Sequence, residues 1–145
     1  MTMSDEARST AHLLPHGAPD RSGNRLLLLT VRRMGVGGLN DAQAVAMLIG
    51  SFGLSFRRPL ILVRALMAEV ARASQRTIMI APSCCCRMTD AESILLDAVA
   101  VSLDTPGSAH RAFGRLLGVE TAIGVLSSAQ AVAQAFADLG RPLDG

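Results

Sequence analysis

The sequence predicts an all-α domain, and three observations carry that reading. Apolar residues recur at helical spacing along most of the chain, as at Val45, Leu48, Ile49 and Phe52. Helix-start and helix-stop residues punctuate these runs at short intervals. The apolar residues are mainly Leu, Ala, Val, Ile and Met, with no Trp, no Tyr and four Phe, a palette that suits helix-on-helix packing better than an aromatic-rich sheet. A chain of 145 residues has room for one domain of ordinary size and not for two.

Residues 1–24 mix Ser, Pro, Gly and both charges without an apolar period, so they read as a disordered tail, with His12 and His16 as solvated residues in it. The domain proper is expected over 25–145. Asn24 is placed to cap a first helix from Arg25 to about Met34, ended by Gly35. Asn40 is placed to cap a second, which ends near Gly50 and Gly53. The third starts near Pro59, which suits a first helical turn, and runs to about Ser74. It is apolar almost all round, from Leu60 to Val70, which predicts a central helix enclosed by neighbours. Thr77 to Ala81 is too short for periodicity to decide between an extended piece and a frayed helix end. Thr89-Asp90-Ala91-Glu92 is a capping box, so the fourth helix starts there. A fifth opens at Thr105 or Ser108 and stops at Gly118. The sixth runs from about Glu120 to Leu139, stopped by Gly140 and Pro142. The outcome is a compact domain of about six helices, with one short extended segment near 77–81 as the variant.

Charge is unevenly distributed. Every basic residue is Arg, and the net charge is +2. Between Arg25 and Arg87, nine Arg face only Asp41 and Glu69, a net of +7; from Met88 onward, three Arg face seven acids, a net of −4. Such halves attract each other within a fold or leave one basic face for a partner. The absence of Lys removes a Schiff-base lysine and a P-loop contact from consideration, and Gly35-Val36-Gly37-Gly38 has the glycines of a phosphate cradle without its spacing. MTMSDEARST lacks the basic-then-apolar pattern of a secretory signal. The longest apolar helical stretch is interrupted by Arg64 and Glu69, well short of the ~20 residues a membrane span needs. No transmembrane segment is expected, and the cytoplasm, where thiols stay reduced, is the default location.

Four stretches together resemble a bacterial family carried as a domain of unknown function: Gly38 to Ala42, SFRRPLILVRALMAE from Ser55, APSCCCRMTDAE from Ala81, and AQAFADLGRP ending at Pro142. The likeness runs from about Arg25 to the C-terminus, and its most distinctive part is the Cys-Cys-Arg-Met-Thr type motif. It supports a single domain and implies no activity, cofactor or partner.

That motif contains the main chemical candidates, Cys84, Cys85 and Cys86. A helix N-terminus and Arg87 nearby favour a thiolate, which points to a redox-responsive thiol. A metal reading takes the three thiols with His110 as ligands for zinc or another transition metal. Adjacent residues point apart, so one chain alone aims three sulfurs at one ion with difficulty. The third reading is plain packing, since cysteine behaves as a small hydrophobe. Arg64, alone in the apolar third helix, is expected to be buried and paired with an acid from the C-terminal half. Arg57-Arg58 could touch phosphates, but near-absent aromatics and the lack of a recognition helix argue against nucleic-acid binding. No Ser-His-Asp context, HExxH or Gly-x-Ser-x-Gly occurs. The sequence therefore favours a non-enzymatic regulatory or interaction module, homo-oligomeric or bound to a protein partner, with a thiol- or metal-responsive cysteine run and no cofactor required. The rival is a thiol-dependent enzyme with His110 as base, and a third reading is a purely structural or DNA-binding helical domain.

Overall fold

A computed structural model describes residues 13–145; the expected tail up to residue 12, His12 included, lies outside the described residues. Six helices account for most of the structure: α1 (Ser22–Gly37), α2 (Ala42–Phe52), α3 (Arg57–Ala73), α4 (Asp90–Val101), α5 (Pro106–Leu117) and α6 (Ile123–Asp138). A 3-10 turn, Gly53–Ser55, joins α2 to α3. Two antiparallel two-residue strands complete the fold: β1 (His16–Gly17) and β2 (Arg87–Met88), with His16 opposite Met88 and Gly17 opposite Arg87. The helical domain expected from the sequence is thus the fold, with a minor sheet that two residues of alternation cannot announce. No described helix is long and apolar enough to cross a membrane.

The core forms where α6 packs on α3, α4 and α5, and α1 packs on α2, α3 and α4. Leu27, Leu48, Leu66, Val99, Phe113, Val132 and Phe136 are among its most deeply buried apolar members. Phe52 meets Phe136 edge to face at 5.2 Å, fastening α2 to α6.

Several boundaries and one placement differ from the sequence reading. Residues 13–24 carry β1 and the first turn of α1. Asn24 lies inside α1, 6% exposed, where its amide donates to the Asp144 carbonyl (2.7 Å) and accepts from the Asp144 N–H (2.9 Å). The helix continues past Gly35 to Gly37. Asp41, not Asn40, caps α2, accepting from the Ala44 N–H. α3 is not the enclosed helix: it buries one face, through Pro59, Leu60, Val63, Leu66 and Val70, and leaves Ile61 61% exposed. α1 takes that role, with nine of its sixteen residues buried. Apolar composition marks what a helix can bury; its neighbours decide how much of it is covered. Thr77–Ile80 carries no regular secondary structure. The capping box at Thr89 and Glu92 forms in full.

Candidate functional site: the cysteine loop and its buried clamp

The segment between α3 and α4 carries the three cysteines. After the irregular run 77–80, Pro82 and Cys85 close a tight turn, the Cys85 N–H donating to the Pro82 carbonyl (3.1 Å). Strand β2 and the N-cap Thr89 follow. Cys84 and Cys86 are exposed, Cys85 is half-buried, and all three are free thiols. Cys85 lines a small cavity of about 190 Å³ with Leu13, Leu14, Met79, Ile80 and Pro82. Burial, then the neighbouring Cys84, push its thiol above the ordinary value, against the opposing pull of Arg32.

What shapes the loop is a buried ion pair. Arg32 on α1 and Glu92 in the first turn of α4 have side chains 1% and 0% exposed. Arg32 Nε donates to Glu92 Oε2 (2.7 Å) and Nη2 to Oε1 (3.0 Å). The same guanidinium reaches across to the loop: Nη1 donates to the Cys85 carbonyl (2.7 Å) and Nη2 to the Arg87 carbonyl (2.7 Å). Glu92 accepts in turn from the N–H groups of Ala81 (3.3 Å) and Thr89 (3.0 Å). Thr89 Oγ1 donates to the Met79 carbonyl (2.7 Å). Two buried charges are tolerable only when paired and fully hydrogen-bonded, and here the loop backbone completes their shell. No buried side-chain nitrogen or oxygen among the described residues lacks a partner.

The Arg87 guanidinium is bonded to the segment before α1. Its Nε and Nη2 donate to the carbonyls of Leu14 and Pro15, each at 2.8 Å, next to the β1–β2 pairing. His16 meets Asp90 at 2.6 Å. The segment before α1 is thereby strapped to the loop at four successive residues.

The other sequence candidates lie elsewhere. Arg64 is not buried against an acid: its Nε donates to the Leu39 carbonyl (2.7 Å) at the α1–α2 turn. The interior arginine is Arg32. His110, on α5, accepts at Nε2 from the Ala122 N–H (2.9 Å) and lines a separate cavity with Arg76, Arg111 and Arg115. The structure does not bring it to the cysteines. Among the described residues no three His, Cys, Asp or Glu side chains form a group able to hold a metal ion. Arg32 and Glu92 are the residues that the sequence reading missed as a pair. A signal existed, because Arg32 falls four residues after Leu28, on the apolar face of α1.

The sequence model of DUF6628, a family of unknown function, matches residues 3–136. The chain belongs to the DUF6628 family. No curated protein and no solved structure matches it. In this DUF6628 protein the matched span takes in β1, the arginine, the glutamate and the whole cysteine loop. The charge imbalance is resolved in part within the chain, where the buried Arg32–Glu92 pair and the half-exposed Arg58–Asp138 pair join the basic half to the acidic half.

Proposed function

We propose that this DUF6628 protein is a non-enzymatic regulatory module whose signal is chemical change at the Cys84–Cys86 loop, and whose output is release of the segment before α1. One observation carries the reading: the residues directly after the cysteines, Arg87 and Met88, hold residues 14–17 through two side-chain bonds and a strand pairing. Cys84 and Cys86 are open to reagents or to a soft metal ion, while the clamp ties the intervening Cys85 backbone to the core. A group added to either exposed sulfur pulls on a short chain anchored at both sides. Leu54, fully exposed, and the half-exposed Ile49 and Ile61 supply apolar surface for the protein partner or second copy that such a module needs. The reducing cytoplasm is the setting in which free thiols of this kind report a change.

The test is stepwise alkylation with N-ethylmaleimide, followed by amide hydrogen exchange. Cys84 and Cys86 are expected to react before Cys85, and exchange at residues 14–17 to rise while α6 stays protected. Unchanged exchange at β1 after all three thiols are blocked would sink the proposal. Elemental mass spectrometry of protein purified without oxygen separates the two kinds of signal. A stoichiometric transition metal, lost in the Cys84→Ala/Cys85→Ala/Cys86→Ala variant, makes the response a metal response; metal-free protein makes it a thiol one.

A further inference from the structure

A second site lies at the far end of α5. Arg76, His110, Arg111 and Arg115 surround an open cavity of about 610 Å³, with Gly114, Gly118 and Glu120, a size within the range of small-molecule pockets. Five arginines elsewhere pair with acids: Arg21, Arg32, Arg33, Arg58 and Arg72. Among the described residues none of the three in this cavity does, and Glu120 is the carboxylate on its lining. Three cations thus face one anion on a concave surface, which concentrates positive potential.

Capping of the helix accounts for Arg76 and not for Arg111 or Arg115. Three carbonyls in the last turn of α5 already have donors: Val119 N–H on Gly114 O (2.9 Å), Gln75 N–H on Leu117 O (2.8 Å), and Arg76 Nη1 on Arg115 O (3.3 Å). Arg76 is seated by Gly118, whose φ of +71° makes the turn and where a Cβ would stand 2.8 Å from Arg76 Nε. Among the described residues the Arg111 guanidinium hydrogen-bonds only to the Ser108 hydroxyl (3.3 Å), and Arg115 makes no side-chain bond. His110 accepts at Nε2, so its ring proton sits on Nδ1 and its remaining polar group is a donor. Guanidinium forks match the oxygens of a phosphate group two at a time.

We infer that this cavity binds a small molecule through a phosphate group, with Arg111 and Arg115 as the principal contacts and Arg76 and His110 as supports. The site is independent of the cysteine loop and of its proposed role.

The probes are inorganic phosphate and pyrophosphate, titrated into the full chain at low ionic strength while backbone amide shifts are followed by NMR. Saturable shifts centred on residues 110–122 are expected, stronger for pyrophosphate. Arg111→Gln/Arg115→Gln should weaken binding at least tenfold without changing the melting temperature. Arg57→Gln, at an exposed arginine of α3, should leave binding within twofold. If the double variant melts early, Arg115→Gln alone serves, with the same tenfold direction. Shifts that fail to saturate, that spread evenly over the arginines, or that respond equally to Arg57→Gln would overturn the assignment.

Discussion

Replacing Glu92 by Gln leaves the Arg32 guanidinium buried without a counter-charge, and removing one partner of a buried pair costs about 3–5 kcal/mol. Urea denaturation of Glu92→Gln should show a loss of that order. The double variant Arg32→Met/Glu92→Met should not recover it, although many buried pairs can be exchanged for apolar residues at little cost. The carbonyls of Cys85 and Arg87 and the N–H groups of Ala81 and Thr89 would all lose their partners. Full recovery in the double variant would mean that these backbone bonds carry no weight. At Cys85 the folded thiol is held above its ordinary value of 9.0, chiefly by burial. Its protonated form is therefore favoured by folding. Stability is intact below that value and falls as pH rises through the folded pKa; Cys85→Ser should flatten the alkaline limb of a stability-versus-pH curve. The cysteines were visible in the sequence at once, whereas the clamp was not. The capping box accounts for Glu92 through local backbone bonds, and nothing in a run of residues says that the carboxylate also faces an arginine sixty positions earlier.

Helix starts were more legible than helix neighbours. Thr89 stands where the capping box placed it, and Thr89→Ala should destabilise by about 1 kcal/mol through the lost cap, with a further loss from the Met79 carbonyl it also serves. At α2 the cap moved by one residue, because Asp41 rather than Asn40 reaches the Ala44 N–H. The Arg33 guanidinium, with that N–H, holds the Asp41 carboxyl below its ordinary value of 3.8. The contribution is present above that value and is lost as pH falls through the lower folded pKa. Asp41→Asn keeps a good cap and removes the charge, so thermal melts from pH 2 to 5 should show a shallower acid limb. The enclosed helix could not be read from composition: α3 looked apolar on all sides, yet Ile61 faces outward. Which flank of a helix receives a neighbour is set by chain path, not by its own residues.

At the level of the whole molecule, the segment after α6 returns to α1. Asn24 takes both backbone groups of Asp144, and a Cβ at Gly23 would meet the Arg141 carbonyl oxygen at 2.5 Å. Gly23→Ala must push that segment away, and overpacking of this kind costs about 1–3 kcal/mol; a lowered melting temperature with faster amide exchange at 141–144 is the expected result. The sums of charge in the two halves were plain in the sequence. Their distribution into crossing pairs and one unpaired cluster was not, because a count carries no angular information about the helices. The clamp at the centre has one more consequence. Arg32 and Glu92 hold the loop by backbone groups at 81, 85, 87 and 89, so its resting path is set without the side chains at 84 and 86, and only an added group larger than an ordinary side chain has to strain it. Those two positions are a mounting whose fittings can be exchanged: other reactive or ligating residues could be set there, by selection or by design, on an unaltered scaffold.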